Sequence, residues 1–534
     1  MGKKLSALML ALAMLVMLFS TCAWAEQETT GKLVILHTND IHGRAVASLE
    51  DGAMGYAEIA QYKDDALNAG NAVLLLDAGD ATQGMPIVNL SYGKTAIEFM
   101  NAAGYDAMTP GNHEFDWGLD NLLQLREVAQ FPILAANITY TADGEPAFEP
   151  YKIFEMDNGM KVGVFGLDTP ETMTKAHPDK VKGITFAQGE ELYACAQAQV
   201  DALAAENCDL IVCLGHLGTD DESEPNRSKD VIENVTGIDL FIDGHSHSVI
   251  EGEMVGETML VSTGEYGHNL GEVVFDGETL SARLIPALHQ DEEVAALVNG
   301  VNDEVNAQLS EPFATTEVDL NGEREPGVRT EETNLGDFAC DAMLWAAREA
   351  TGLDVVAVVT NGGGIRASIA AGDITMNDMK TVFPYGNEIS VLTVTGAELL
   401  EALEAATCTT PDAIGAFPQV AGIEFTIDTT VPYENGEMYP DSTYYAPANP
   451  GSRVTINSVG GEAFDPEALY IIATNDFTAA GGDTYYAFKY ANETSGYKTG
   501  VALEDALVNY LDEVLDGVVG QDYAEPQGRI TVIQ

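Results

Sequence analysis

The chain has 534 residues, enough for more than one domain, and 46% of them are apolar, as is usual for packed globular domains. Its 85 acidic and 24 basic residues give a formal net charge of -61, which disfavours binding to a nucleic-acid polymer or to an anionic membrane surface. A small phosphate-bearing ligand would need metal ions or individual arginines to attract it.

The first segment is predicted to be a secretory signal peptide over residues 1–25. Lysines 3 and 4 precede an apolar run over residues 5–19, and residues 23–25 have the small-x-small pattern of a cleavage site. Cys22 raises the alternative of a lipid tether, although the residues before it do not have the usual lipoprotein pattern. No later apolar run is long enough to span a bilayer. We therefore expect a secreted protein, periplasmic or extracellular, without a membrane span.

The mature chain begins with a strand that ends in metal-competent side chains. The apolar run over residues 33–36 predicts a buried strand, which leads to Asp40 and His42 before a break at Gly43. Two residues apart in an extended segment, these side chains point the same way and can bind one ion. His37 precedes the turn and is interpreted as structural.

The second strand ends in two aspartates. A helix is predicted over residues 56–69, followed by a strand over residues 72–76 and the loop that contains Asp77 and Asp80. Either aspartate could bind a metal ion. Asp80 is the preferred candidate because it follows the loop glycine, whereas Asp77 is expected to form local hydrogen bonds.

The third strand ends in the sequence Gly-Asn-His-Glu at residues 111–114. In an α/β chain the carboxyl ends of strands carry the ligands, so Asn112 and His113 are expected at the rim of a sheet. Asp116 lies three residues further on and can orient the imidazole of His113 after a turn. His113 is therefore predicted to be catalytic, and its use as one more metal ligand is the alternative.

Two later strands repeat the pattern. The apolar segment 210–214 is followed by His216, and the segment 240–242 is followed by His245 and His247. Six of the nine histidines thus fall at strand ends, which makes chance placement a poor explanation: positions 37, 42, 113, 216, 245 and 247. The three others are interpreted as ordinary surface or loop residues: His177, His268 and His289.

Seven side chains at these strand ends are candidate metal ligands: Asp40, His42, Asp80, Asn112, His216, His245 and His247. Seven nitrogen and oxygen donors are too many for one zinc ion, but they suit two divalent ions about 3.5–4 Å apart that share a carboxylate. With no thiolate in the set, zinc, manganese, cobalt and iron are all compatible. Such an ion pair activates water and binds phosphoryl oxygens, so the set indicates phosphoester hydrolysis.

These motifs, in this order, resemble those of the calcineurin-like metallophosphoesterases. More narrowly, residues 36–43, 111–116 and 244–247 are similar to the secreted bacterial 5′-nucleotidase, UDP-sugar hydrolase and cyclic phosphodiesterase family. The resemblance covers almost the whole mature chain. It implies an α/β fold, with a four-layer α/β/β/α sandwich over residues 26–290 and a second α/β domain over residues 313–534 that determines substrate specificity. The residues between these domains, 291–312, follow a helical pattern and are predicted to link them.

The resemblance also implies how the metal ligands are shared. One ion would be bound by Asp40, His42, Asp80 and His247. The other would be bound by Asp80, Asn112, His216 and His245. His113, paired with Asp116, would stabilise the transition state and assist the leaving oxygen. Many relatives have glutamine where His247 stands, a difference that concerns metal preference, and Asp77 matches no ligand of the family.

Three loops of the second domain carry unusual groups. A predicted strand over residues 355–359 runs into a glycine triplet at 362–364 and then Arg366, so that backbone and guanidinium can both approach a ligand. Two other loops place Tyr385 and Phe477 beside glycines. Exposed loop aromatics can stack on a flat base. The alternative is that they pack at the rim between the domains.

By resemblance, the second domain supplies the contacts to a nucleotide substrate. Tyr385 and Phe477 would sandwich the base and Asn361 would contact it, Asp483 would bind the ribose, and Arg329 and Arg366 would bind the phosphate. A further arginine that some members carry is missing, with Thr333 about where it would lie. Its absence argues against tight binding of polyphosphates or nucleotide sugars.

The sequence therefore predicts an exported hydrolase with two divalent metal ions that converts nucleoside 5′-monophosphates to nucleoside and phosphate, with nucleotide sugars as further candidate substrates. The alternative within the family is a 2′,3′-cyclic-nucleotide 2′-phosphodiesterase with 3′-nucleotidase activity, which would use the same site. The alternative outside it is a non-catalytic extracellular nucleotide-binding protein, and the presence of every ligand and of the His113–Asp116 pair argues against it. The sequence makes no prediction of oligomeric state.

Overall fold

The structure is a computed structural model that describes residues 31–48, 52–286, 289–440 and 442–533. The predicted signal peptide, including Cys22, lies outside the described residues. Within the described ranges, no helix combines the length and the apolar character that crossing a membrane requires.

The amino-terminal half alternates strands with helices. Its strands are β1 (Leu33–Thr38), β2 (Ala72–Asp77), β3 (Ala107–Met108), β4 (Ile138–Tyr140), β5 (Tyr151–Glu155), β6 (Lys161–Asp168), β7 (Ile184–Phe186), β8 (Leu210–His216), β9 (Leu240–Ile242), β10 (Val249–Val255), β11 (Thr258–Thr263), β12 (Leu270–Phe275) and β13 (Leu280–Ile285). Its helices are α1 (Tyr56–Asn68), α2 (Pro86–Asn89), α3 (Lys94–Ala103), α4 (Leu119–Val128), α5 (Thr172–Lys175), α6 (Glu190–Ala205), α7 (Ser228–Asn234) and α8 (Glu292–Leu309).

Two sheets of this half pack face to face. Their strand orders are β13-β12-β1-β2-β3 and β10-β11-β9-β8-β6-β5. A core between the sheets joins residues such as Ile35 and Leu74 of the first to Val164 and Leu214 of the second. Helices α1, α3, α4 and α8 cover the outer face of the first sheet, and α6 and α7 cover that of the second. Burial on both faces explains the continuous apolar runs of β1, β2 and β8, and the layers confirm the predicted α/β/β/α fold.

The direction of the strands brings the polar loops together. In the first sheet β1, β2 and β3 are parallel neighbours, and in the second β6, β8, β9 and β11 run parallel. Parallel strands end at the same edge of their sheet, where ligands bind in α/β folds. The loops after β1, β2, β3, β8 and β9 therefore meet at the edge shared by the two packed sheets.

The carboxyl-terminal half forms a second α/β unit. Its strands are β14 (Pro312–Thr316), β15 (Ala357–Asn361), β16 (Gly372–Thr375), β17 (Glu388–Thr395), β18 (Pro418–Ala421), β19 (Ile423–Asp428), β20 (Asn435–Met438), β21 (Tyr445–Pro447), β22 (Val454–Val459), β23 (Glu462–Ala463), β24 (Leu469–Asn475), β25 (Tyr497–Ala502), β26 (Val518–Val519) and β27 (Ile530–Ile533). Its helices are α9 (Asn334–Thr351), α10 (Met376–Val382), α11 (Gly396–Ala405), α12 (Asp476–Ala479), α13 (Tyr486–Ser495) and α14 (Leu503–Glu513).

The main sheet of this half has the order β18-β15-β24-β17-β25 and is covered by helices on both faces. Helices α9 and α14 pack on one face, and α11 and α13 on the other. Strands β15 and β24 are parallel, so the loop with the glycine triplet and the loop with Phe477 leave the sheet at one edge. Thr333 caps α9 by accepting a hydrogen bond from the Gly336 N–H at 3.0 Å.

The helix predicted to link the domains belongs structurally to the first half. Val294 and Val298 of α8 are buried in the core beneath the helices of the first sheet. The two halves also touch directly, since the backbone N–H of Asp483 donates to the Thr174 carbonyl oxygen at 2.9 Å. The ligand loops of the first half consequently face the loops of the second.

Candidate active site

Most of the predicted metal ligands have an unusual backbone conformation. Five of the seven lie in the left-handed region, with φ of 52°, 48°, 59°, 77° and 56° for Asp40, His42, Asp80, His245 and His247. Outside glycine this region is uncommon, costs about 1–3 kcal/mol per residue and is concentrated at functional sites. Each loop turns sharply where its side chain enters the shared edge, which indicates that the conformation serves the site.

Glycines allow these loops to approach one another. A Cβ atom on Gly111 would lie 2.3 Å from Asp80 Oδ1 and 2.6 Å from His216 Nε2, and one on Gly244 would lie 2.7 Å from His216 Nδ1. No larger residue fits at either position while the ligand side chains keep their places. This close approach gives a physical reason for the Gly-Asn-His and Gly-His sequences.

The structure brings the seven predicted ligands into one buried cluster. Asp80 Oδ2 lies 3.1 Å from His216 Nε2 and 3.8 Å from His42 Nε2, while Asp40 Oδ1 lies 3.4 Å from His247 Nε2. Asn112 joins the cluster through its Oδ1 atom, which is 2.9 Å from His245 Nδ1. Three overlapping sets have donor atoms within 4.8 Å of one another: Asp40, His42 and His247; Asp40, Asp80 and His216; His42, Asp80 and His113.

Buried acceptors determine which histidine nitrogen faces the cluster. His216 Nδ1 lies 2.6 Å from the Ala78 carbonyl oxygen, and His245 Nε2 lies 2.9 Å from Glu171 Oε2. His247 Nδ1 is paired with the Glu265 carboxylate. A carbonyl or carboxylate oxygen only accepts, so in each histidine the outer nitrogen carries the proton and the inner one can bind a metal ion.

Glu171 and Glu265 contact two of the predicted ligands, and the sequence reasoning missed both glutamates. Burial opposes the ionisation of both, but hydrogen bonds from His245 and His247 outweigh it and lower the pKa of each carboxyl to about 2. The glutamates follow strands β6 and β11, two further members of the parallel set. A search of every strand end for carboxylates, as well as for histidines, would have found them.

The charges of the cluster fit a bound cation. Burial opposes the ionisation of Asp80, but His216, His113 and His42 outweigh it and hold the Asp80 pKa well below its usual range. Conversely, burial would lower the His216 pKa, but Asp80 and Asp40 raise it well above its usual value. Within the described chain His216 Nε2 has no hydrogen-bond partner of good geometry although it is fully buried. Paired carboxylates facing inward-pointing imidazole nitrogens are the donor set of a divalent metal site.

His113 lies at the edge of the cluster on a short 3-10 helix, Asn112–Phe115. Its Nδ1 is 2.8 Å from Asp116 Oδ2, and its backbone N–H donates to Asp80 Oδ1 at 2.9 Å. Its ring stacks on Tyr385 of the other half, with centroids 5.6 Å apart and an interplanar angle of 20°. The carboxylate and the stacked ring together fix the orientation of the imidazole.

Glu114, the last residue of the Gly-Asn-His-Glu motif, joins two ligand loops. Its fully buried carboxylate accepts backbone N–H groups from Gly111 at 2.7 Å, Asp80 at 2.8 Å, Ala81 at 2.9 Å and Thr82 at 3.0 Å. Four such bonds tie the Asp80 loop to the Asn112 loop. The sequence analysis assigned this residue no role, because three of its four partners lie more than 30 positions away in the Asp80 loop.

A cleft of about 740 Å³ lies between the halves and opens onto the cluster. From the first half it is lined by Asp80, Asn112, His113, Asp116, His245 and His247. From the second half it is lined by all six predicted substrate contacts: Arg329, Asn361, Arg366, Tyr385, Phe477 and Asp483. The volume is in the usual range of small-molecule sites.

The predicted substrate contacts are held by their neighbours. Asn361 Nδ2 donates to Asp483 Oδ2 at 2.9 Å and, through Oδ1, accepts from Asn475 Nδ2 at 2.9 Å. Phe477 is largely buried and packs against Gly482. Tyr385, by contrast, stacks on His113. The proposed sandwich of a base between Tyr385 and Phe477 stays a prediction.

The cleft also contains basic side chains that the sequence analysis did not single out. Lys175 belongs to the first half, and its Nζ lies 5.6 Å from the centroid of the Tyr444 ring. His177 also lines the cleft, with its Nε2 3.7 Å from Asp476 Oδ2, although the sequence analysis interpreted it as an ordinary surface or loop residue. Arg324 lies beside Arg329. The scarcity of cations in this chain was the signal that could have drawn attention to them.

The two halves match two family models in sequence. Residues 33–249 match the calcineurin-like phosphoesterase, and residues 312–490 match the 5′-nucleotidase C-terminal domain. The fold and the site thus define a metal-dependent phosphoester hydrolase. The donor cluster lies in the part that matches the phosphoesterase, and this class requires divalent metal ions.

Relatives of known sequence and structure identify the family within this class of hydrolases. The chain is 31% identical to a 5′-nucleotidase of Vibrio cholerae over 91% of each chain. It is 34% identical to the trifunctional nucleotide phosphoesterase protein YfkN of Bacillus subtilis over 87% of its own length, but spans only 33% of that relative. Among solved structures, a 5′-nucleotidase precursor from Thermus thermophilus aligns with a TM-score of 0.77 at 29% identity, over 94% of this chain and 99% of that one. The chain belongs to the 5′-nucleotidase family, whose activity is the hydrolysis of nucleotide phosphoesters.

Proposed function

We propose that the protein hydrolyses nucleoside 5′-monophosphates to nucleoside and phosphate, and that the seven-ligand cluster binds two divalent metal ions with the ligand sets implied by resemblance. One observation carries the proposal. His113, the exposed rim of the donor cluster and all six expected nucleotide contacts line a single cleft between the halves. A nucleoside held by the second half would thereby have its phosphate directed at the cluster.

The residues of the chain have distinct parts in this reaction. Two divalent ions, when bound, lower the pKa of a water molecule and neutralise charge on the phosphoryl oxygens. Arg366 and Arg329 face the cleft and bind phosphate oxygens through charge-assisted hydrogen bonds. His113, oriented by Asp116, donates towards the oxygen on which negative charge develops as the P–O bond breaks.

The nucleoside is proposed to be held by the loops that leave β15 and β24. Asp483 accepts from ribose hydroxyls, while Asn361 and the aromatic rings contact the base. Burial raises the Asp483 pKa, whereas Lys175 and the hydrogen bond from Asn361 counteract this rise and favour the carboxylate that a ribose requires. Lys175 belongs to the first half, so both halves contribute to the proposed nucleoside site.

The sequence supports three further proposals. The signal-peptide pattern over residues 1–25 supports export to the periplasm or the extracellular space. The resemblance supports domain limits of 26–290 and 313–534, joined through residues 291–312. Zinc, manganese, cobalt and iron are the proposed choices of metal, since the ligand set contains nitrogen and oxygen donors and no thiolate.

The first test compares substrates side by side. Phosphate release by the mature protein with Mn²⁺ or Zn²⁺ is expected to be fast with AMP and slow with 3′-AMP and 2′,3′-cyclic AMP, because the nucleoside is held with its 5′ end towards the cluster. UDP-glucose is followed by the appearance of UMP. Preference for the cyclic ester and 3′-AMP would replace the proposal with the 2′,3′-cyclic phosphodiesterase activity. No turnover on any of them, with metal bound, would favour the non-catalytic binding protein.

A further inference from the structure

Lys175 is a cation of the first half that lies against the nucleoside loops of the second half. Its Nζ atom is 5.6 Å from the centroid of the Tyr444 ring. A Cβ atom on Gly415 would lie 3.9 Å from this Nζ atom and 3.7 Å from Asp483 Oδ1, so the ammonium group and the Asp483 carboxylate border the same small space. The Lys175 side chain is largely buried there. It is therefore placed to act on the expected ribose contact.

The other end of the same short helix reaches the metal-ligand cluster. Glu171 directly precedes α5 and is fully buried, and its Oε2 atom lies 2.9 Å from Nε2 of the predicted ligand His245. The same oxygen lies 3.9 Å from Lys175 Nζ. A buried carboxylate is stable only beside hydrogen-bond donors or opposite charges, and for Glu171 both His245 and Lys175 serve in this way. Glu171 thus connects Lys175 to a metal ligand.

Asp483 is joined to α5 through its backbone as well as its side chain. Its backbone N–H donates to the Thr174 carbonyl oxygen at 2.9 Å. Burial raises the pKa of the Asp483 carboxyl, Lys175 lowers it and Glu171 raises it, so the two carboxylates, one from each half, repel each other. The ammonium group of Lys175 is close to both carboxylates and reduces this repulsion. Helix α5 therefore links Asp483 to Glu171 by two adjacent residues.

We propose that Lys175 couples the nucleoside site to the metal site, so that a nucleoside and the metal ion at His245 each strengthen the binding of the other. The proposal rests on the proposed function and extends it to the regulation of the same site. A metal ion at His245 restrains the ring, which restrains Glu171 through the hydrogen bond and Lys175 through the ion pair. The ammonium group is thereby held beside Asp483 before the nucleoside arrives. Because coupling between two binding sites is reciprocal, a nucleoside on Asp483 favours metal binding by the same factor.

The test uses adenosine, which has no phosphate to contact the metal ions, and Mn²⁺ as the metal. Calorimetry measures adenosine binding to metal-free and Mn²⁺-loaded mature protein, and Mn²⁺ binding with and without adenosine. In the native protein we expect each ligand to tighten the binding of the other by about fivefold to twentyfold, within the usual range of coupling between sites. In Lys175→Met, which removes the charge but keeps an unbranched side chain, both factors should fall to about one.

Two further variants separate this role from a general effect on folding. Lys175→Arg keeps the charge and should keep most of the coupling. Lys182→Met is the matched control, because Lys182 is largely exposed and pairs with Asp179 in the segment that follows α5. It should behave as the native protein.

Equal adenosine affinity of the metal-free and the loaded native protein would overturn the inference. So would coupling that persists in Lys175→Met, or an equal loss of coupling in Lys182→Met. If adenosine does not bind to the loaded native protein, the inference falls together with the proposed nucleoside site. AMP hydrolysis by the same preparations distinguishes the two proposals, since native turnover without coupling would remove this inference alone.

Discussion

Replacing Asp80 with alanine is expected to remove bound metal and to slow AMP hydrolysis by about three orders of magnitude or more, since the metal ions supply several kcal/mol of transition-state stabilisation. The Asp80 carboxylate lies between His42 and His216, which belong to different implied ion sites. In the proposed ligand sets Asp80 is the one ligand common to both sites, so its loss would disturb both. Metal content of the purified protein and the rate of phosphate release measure the two effects separately.

Asp77→Asn is the matched control for this prediction, because Asp77 is buried at the end of β2, three residues before Asp80, and is not a predicted ligand. It accepts hydrogen bonds from Thr38 Oγ1 at 2.6 Å and from the Gly79 N–H at 3.0 Å. We expect this variant to keep its metal and to lose about 1–3 kcal/mol of stability, the usual cost of disturbing a buried hydrogen bond. The ligand assignment is wrong if Asp80→Ala retains as much metal as the native protein.

The second large effect is expected for His113→Ala, which should lower kcat for AMP by about a hundredfold to ten-thousandfold while metal content stays unchanged. The imidazole is held by Asp116 and by the stacked ring of Tyr385, and it faces the cleft beside Asn112. This placement supports the proposed role of His113 at the leaving oxygen. Steady-state kinetics together with metal analysis of the same preparation test both parts of this expectation.

Asp116→Asn provides a graded control. The amide keeps the size of the carboxylate but stabilises a protonated imidazole less well, so the loss in kcat should be smaller than that of His113→Ala. His113 also belongs to one of the candidate donor sets, with His42 and Asp80. Loss of one metal equivalent in His113→Ala would identify it as a ligand and would contradict its catalytic role.

The fold and the core of the site follow from a regular feature of the sequence. Apolar runs such as residues 72–76 and 210–214 end in glycine and then in aspartate or histidine, and in a parallel sheet such ends share one edge. The strands are observed at Ala72–Asp77 and Leu210–His216, and the predicted ligands converge there. The sequence pattern at each strand end and the parallel direction of the strands are together enough to predict that these side chains lie close to one another.

The residues that support the ligands could not be found in this way. Glu114 bonds to the loop of Asp80, and Glu265 reaches His247 from the end of β11, so the role of each depends on contacts that only the packed loops create. Arg324 was missed for a related reason. The expectation for a further arginine was tied to the position of Thr333, just before α9, whereas Arg324 reaches the cleft from an earlier segment.

The central claim is that nucleotide hydrolysis occurs at two metal ions held by this cluster. Metal-free mature protein, titrated with Mn²⁺ or Zn²⁺ while phosphate release from AMP is followed, tests it most directly. We predict no turnover without metal and a rate that rises until about two equivalents are bound, as two ions sharing one carboxylate require. Full activity with one equivalent, full activity without metal, or no hydrolysis of AMP after two ions have bound would contradict the account.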